Sequence, residues 1–200
     1  MPESMTLIPR SSFDGLLKPI GASDVAGVVA SERADIQIAT VIARNGRDAL
    51  VARVRAVYGI ELPPGPKRVA SERIAFVGTG PRTWLAIRQG GGFWPDELER
   101  DLGDTAAVAD QSDGYAVLRL SGSKVRATFE KGLGVDLHPR AFRPGDAAVT
   151  TCAHLGIILW QLDEKPTYEV AVFRSFAADF WHWVSESAAE FGLKVEADRG

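Results

Sequence analysis

Asp110 and Asp113 stand three residues apart in Asp-Gln-Ser-Asp-Gly, just ahead of an apolar run, and paired carboxylates are a starting point for general acid–base chemistry. That chemistry needs two groups whose pKa values are pushed apart inside a cleft. Gln111, Ser112 and Gly114 surround the pair, which is turn composition, so an Asx turn is the expected role. Cys152 and His154 alternate and could face one way from a strand as metal ligands. Zinc takes three or four ligands, however, and the only other histidines are His138 and His182. Cys152 reads better as a small core residue, and His154 as part of a turn between two strands. Ser121-Gly122-Ser123 lacks the spacing of a nucleophile elbow and reads as a strand-to-helix turn. Gly90-Gly91-Gly92 could cradle a phosphate, but the helix it feeds opens with Asp96 and Glu97. Those carboxylates complement a helix N-terminus and repel a phosphate there. No P-loop or dinucleotide fingerprint is present. No catalytic, cofactor-binding or metal residue is therefore assigned.

These residues need elements to position them. Residues 36–42 alternate and are β-branched, which predicts a strand. Asn45-Gly46 turns the chain into a helix over 48–58, with Leu50, Val51, Val54, Val57 and Tyr58 on one face and Gly59 ending it. After a Pro/Gly-rich loop, strands are predicted over 73–77 and 83–87. A short helix follows, with Pro95 in its first turn, Leu98 and Leu102 inward and Gly103 at its end. The same order then returns. A strand spans 115–120, a helix 124–133, and strands 147–152, 155–162 and 168–173. A last helix runs from an N-cap at Ser175 to about Phe191, with Phe176, Phe180, Trp183, Val184 and Phe191 on its apolar face.

Strand–helix–strand–strand–helix thus occurs twice, roughly eighty residues apart, too long a period for a solenoid. The fold class expected is α+β: a duplicated module forming two mainly antiparallel sheets with helices packed on them. The predicted divisions are an extended N-terminal arm (1–35), a first half (36–104), a second half (105–192) and a C-terminal tail (193–200). The arm shows no sustained period, only apolar residues such as Phe13, Leu16 and Leu17 that would suit a partner. Trp94 and Trp181 are either half-buried packing or interface anchors. Phe13, Leu16, Leu17, Trp94 and Trp181 are accordingly the candidates for a subunit interface.

Bulk composition narrows the function classes. The chain has 200 residues and a formal net charge of −3, with no run of Lys/Arg longer than two, which argues against nucleic acid. One cysteine allows no intrachain disulfide and fits a reducing compartment. The first residues do not form a secretory signal, and the apolar runs are too short to cross a bilayer, so a cytoplasmic, non-membrane protein is expected.

Several segments carry a family likeness: DQSDGYAVLRLSG, PGDAAVTTCAHLGIILWQL, YEVAVFRSFAADFWHWV, and in the first half DALVARVRAVYGIELPPGPKRV and IAFVGTGPRTWLAI. In that order they resemble the gamma subunit of heterotetrameric sarcosine oxidase, over about residues 36–192. The same residues are more distantly similar to the folate-binding aminomethyltransferase fold. This chain has Gly122-Ser123 where those transferases usually have Gly-Pro, and Leu155 to Gln161 where they often place acidic residues. The resemblance implies an oxidoreductase complex that demethylates sarcosine to glycine, with hydrogen peroxide and 5,10-methylenetetrahydrofolate as products. It implies alpha, beta and delta partner subunits that hold FAD, FMN, NAD, tetrahydrofolate and zinc, and a gamma chain with no cofactor that stabilises the large subunit. The alternatives are a stand-alone folate-dependent one-carbon enzyme using Asp113 or Asp110, and a free-standing protein-binding module.

Overall fold

The computed structural model describes residues 10–20, 26–90 and 94–196. The expectations placed on residues 1–9, 21–25, 91–93 and 197–200 lie outside them. The first strand is β1 (Val28–Glu32), and the first half follows as β2 (Ile36–Ala43), α1 (Arg47–Tyr58), β3 (Arg68–Ala70), β4 (Ala75–Gly80), β5 (Thr83–Gln89), α2 (Pro95–Leu102) and β6 (Ala106–Asp110). The second half is β7 (Tyr115–Ser121), α3 (Val125–Phe129), β8 (Ala147–Cys152), β9 (Leu155–Asp163), β10 (Thr167–Phe173), α4 (Ala177–Ala188) and β11 (Leu193–Val195). Each half therefore reads strand, helix, three strands, helix, strand.

The duplication extends to the pairing. One sheet has the order β3-β4-β5-β2-β6 and the other β8-β9-β10-β7-β1-β11. β3, β4, β5 and β2 correspond in place to β8, β9, β10 and β7. The slot that β6 fills beside β2 is taken beside β7 by β1, which separates β11 from the rest. All pairs are antiparallel except β1 with β11.

Strand alternation builds three cores, because successive side chains leave opposite faces of a sheet. In β2, Ala39, Val41 and Ala43 meet the helices, with Leu50 and Val54 of α1 and Leu98 and Leu102 of α2. Ile36 and Ile38 point the other way, toward the second sheet, and join Leu85, Val117, Ile158 and Trp160 between the sheets. The far face of the second sheet (Leu118, Leu120, Leu159, Tyr168, Val170) meets Val125 and Phe129 of α3 and Phe180 and Val184 of α4. The result is four layers: helices, sheet, sheet, helices. At one edge the sheets are stitched together, since Ala147 N–H donates to Pro66 O (3.0 Å) and Arg68 N–H to Gly145 O (2.7 Å).

Several elements depart from expectation. Residues 12–16 of the arm form a turn, and its end is built into a sheet. Val28–Glu32 is a strand between β7 and β11, and Phe13 lies in the second half's core. The C-terminal tail likewise contributes β11. Both are short strands whose partners lie far along the chain, so no local period announces them. β6 pairs with β2, so the division after residue 104 leaves a strand of the first sheet in the second half. β3, three residues long, was not expected. The strand placed at 73–77 runs later, over Ala75–Gly80, through Gly78 and Gly80. The helix expected over 124–133 stops at Phe129. At Gly132 an added Cβ would stand 2.9 Å from the Trp183 ring, so the backbone there passes directly beneath the indole. Ser175 caps nothing: it lies in a 3-10 turn (Arg174–Phe176), and α4 starts after it without a side-chain cap. Trp181 on α4 is buried and Phe176, just before the helix, exposed, because the stripe facing the sheet runs through Ala177, Phe180, Trp181, Val184 and Ala188. Trp183 is only partly buried against it.

Candidate functional site

Among the described residues, a buried carboxylate lies between the sheets, at Glu169 of β10. Tyr168, Val170 and Val172 face the helical side, so alternation sends Glu169 and Ala171 to the inter-sheet side. Register sets Glu169 directly opposite Arg119 of β7 and Trp160 of β9. Trp160 Nε1–H donates to Glu169 Oε2 (2.8 Å), and Arg119 donates to Oε1 through Nη2 (2.7 Å) and Nε (3.1 Å). Arg33, just after β1, pairs with the same Oε1. Glu169 is 4% exposed. Burial by itself raises a carboxyl pKa, but the Arg33 and Arg119 charges and the hydrogen bonds from Arg119 and Trp160 outweigh it and hold Glu169 below its ordinary value.

Arg68 of β3 completes the group from the first sheet. It pairs with Val77, which lines the inter-sheet core, so its side chain leaves on that face. Its Nε is buried and finds no hydrogen-bond partner. The cavity here, about 200 Å³, is lined by Arg33, Arg68, Arg73, Arg119, Glu72 and Glu169 among other residues. Burial lowers the pKa of Arg68, the Glu169 charge opposes that, and Arg33 and Arg119 add to it. This cluster was not read from the sequence. The available signal was one carboxylate, Glu169, inside an otherwise apolar strand, which requires a buried partner.

The residues singled out in the sequence lie elsewhere. Asp110 Oδ1 accepts from Ser112 N–H (2.9 Å) and Ser112 Oγ–H (2.7 Å), an Asx turn at the β6–β7 corner. Asp113 is fully exposed on that turn, 3.6 Å from Arg174. Cys152 points into the core, where burial pushes its thiol pKa up to about 12. Ala153 and His154, both at positive φ, form the turn of the β8–β9 hairpin, with His154 exposed. No group of three or more metal-ligating side chains occurs among the described residues. Gly122, at φ +110°, brings the β7–α3 turn so close to Gly27 that a Cβ there would lie 2.4 Å from Gly27 O. Trp94 and Phe13 are fully buried in the two helical cores, and Trp181 nearly so, so these three rings are occupied within the chain. Leu16 and Leu17 are half-buried against the second core.

Residues 44–190 match the sarcosine oxidase gamma subunit family. The gamma subunit of sarcosine oxidase from Corynebacterium sp. (strain P-1) is 33% identical over 198 residues, with 96% of each chain covered. The chain belongs to the sarcosine oxidase gamma subunit family. The Arthrobacter sp gamma subunit agrees, at 31% identity over 198 residues and the same coverage. Among solved structures, a heterotetrameric sarcosine oxidase from Corynebacterium sp. U-96 superposes on this gamma-family chain with a TM-score of 0.80 and 26% identity, covering 92% of this chain and 96% of the matched one. The aminomethyltransferase T of the glycine cleavage system from Bartonella henselae superposes with a TM-score of 0.61 over 86% of this chain and 48% of its own, at 15% identity. That second likeness is one of fold. Family and fold are therefore those the sequence segments resembled. Among the described residues, no helix is long and apolar enough to cross a membrane.

Proposed function

We propose that this chain is a non-catalytic subunit of a sarcosine oxidase complex, built to stabilise a large flavin- and folate-carrying subunit. The observation that carries this is the match to gamma subunits along nearly the whole of both chains. The complex would oxidise sarcosine to glycine, reduce oxygen to hydrogen peroxide and deliver the one-carbon unit to tetrahydrofolate as 5,10-methylenetetrahydrofolate. FAD, FMN, NAD and zinc would be held by alpha, beta and delta partners.

Two hollows among the described residues do not fit those groups. The inter-sheet cavity, at about 200 Å³, is below the roughly 300–1,000 Å³ usual for small-molecule sites. A larger hollow of about 450 Å³, over Gly65, Pro66, Gly80, Pro81 and Val149, has one hydroxyl side chain, Thr79, and no charge to hold a phosphate or a pterin. The rival enzyme reading would use Asp110 or Asp113, and both sit on an exposed turn rather than in a cleft. For contact with a partner, Leu16 and Leu17 keep part of their surface. Among the described residues, Phe173 (50% exposed) and Phe176 (41%) are large exposed rings, Phe173 stacked on Tyr115 at 5.0 Å.

The test is purification of the native assembly through a tag on this chain, with mass measurement. Flavoprotein subunits and oxidase activity should co-purify, and Phe173→Asp with Phe176→Asp should weaken that association. An oxidase that stays active and stable without the chain, while the chain runs alone, overturns the reading.

A further inference from the structure

We propose that the cavity between the sheets, floored by Glu169 and ringed by Arg33, Arg68 and Arg119, binds a carboxylate. Four arginines and two glutamates line it, so positive charge is in excess by two in a chain whose overall charge is −3. Glu169 takes Arg33 and Arg119 through the same oxygen, Oε1, and its other oxygen is occupied by Trp160. None of the hydrogen bonds to Glu169 comes from Arg68, whose buried Nε–H lacks an acceptor. A buried donor left unpaired is costly, and native proteins fill such positions with a protein group, water or ligand. Arginine's planar fork suits a carboxylate or a phosphate. Glu169 in the floor selects between them, because a second negative charge on the ligand would face it at short range. A monoanionic carboxylate gives the orphaned donor an acceptor and offsets one of the two excess charges without bringing a second negative charge onto Glu169. The lowered basicity of Arg68, caused by burial and by its two arginine neighbours, is the electrostatic state that an added anion relieves.

The carboxylate has two sources, a free small acid or an acidic side chain of a partner subunit. The purified full chain is titrated calorimetrically with acetate and with inorganic phosphate, against chloride at matched ionic strength. The Nε–H resonance of Arg68 is followed by NMR in parallel. Acetate should bind saturably at one site, more tightly than phosphate, and shift that resonance. Arg68→Gln should weaken binding at least tenfold while circular dichroism stays unchanged, and the exposed Arg140→Gln should have no effect. A flat titration with no resonance shift overturns the proposal. Binding unchanged in Arg68→Gln, or phosphate binding as tightly as acetate, overturns it too. Repeating the titration on the assembled complex identifies the source: binding retained there means a small acid, and binding lost there means the partner's carboxylate fills the site. Only this last arm rests on the subunit reading, so the two can fail separately.

Discussion

The Trp160 indole and the Glu169 carboxylate, directly paired on β9 and β10, meet at 2.8 Å in the space between the sheets. Trp160 is fully buried, and the bond orients the carboxylate that Arg33 and Arg119 share. Removing that charge takes away the counter-ion that Arg33 and Arg119 share, beside an Arg33 side chain that is only 9% exposed. Glu169→Gln should therefore destabilise the chain by about 3 kcal/mol, and Trp160→Phe, which removes a single donor, by roughly 1.5–3 kcal/mol. Urea unfolding followed by tryptophan fluorescence measures both. A change below about 0.5 kcal/mol in Glu169→Gln would mean the cluster is idle.

The same cluster sets a pH dependence. Glu169 has a folded pKa below its ordinary value of 4.5, so the unfolded chain binds its proton first as pH falls. Its contribution is complete above about pH 4.5 and is lost as pH drops from there through the depressed folded value. Asp146 acts in the same sense below its ordinary 3.8: burial opposes the shift, and the Lys67 and Arg143 contacts drive it. Stability should thus fall steeply on acidification below pH 4.5, and Glu169→Gln should flatten the upper part of that fall. Equal slopes in the two proteins would count against the assignment.

Cys152 should be a silent thiol in the folded chain. Burial pushes its pKa up to about 12, so almost no thiolate exists near neutral pH, and the side chain has no surface. Reaction with a disulfide reagent at pH 8 should be slow in buffer and fast in unfolding concentrations of urea. Prompt labelling of the native chain would contradict this burial.

Gly122 and Gly156 should behave oppositely. Gly122 combines φ +110° with a Cβ position 2.4 Å from Gly27 O, whose lone pairs already accept from Lys124 N–H. Gly122→Ala should cost on the order of 3 kcal/mol. Gly156, in β9, has open space at its Cβ position, and Gly156→Ala should change stability by less than about 0.5 kcal/mol. Denaturant midpoints of the two variants decide the matter.

Phe13 should be a core residue despite its place near the N-terminus. It is 1% exposed among the residues of the second half's core, so Phe13→Ala should cost about 3–5 kcal/mol. Phe173→Ala, on the surface, should cost far less than that in the isolated chain. Similar losses in both would show that the first segment is not anchored as described.

The alternation in residues 36–42 and 155–162, the turn at Asp110–Gly114 and the helix signals from Pro95 to Gly103 are local, so the sequence alone determined those elements, the duplicated α+β order and the family likeness. A strand's period and a helix's stop are written within a few residues, because backbone sterics and local hydrogen bonds decide them. Only the tertiary structure decided that Val28–Glu32 and Leu193–Val195 are neighbouring strands, since the two lie more than a hundred residues apart in sequence. It alone decided that Trp181, rather than Trp183, is the buried ring, because which flank of a helix is covered depends on the sheet beneath it. The cluster of Arg33, Arg68, Arg119 and Glu169 has the same origin: four separate strand regions bring single charges to one cavity, and the cost of burying charge acts only after the sheets have closed over it.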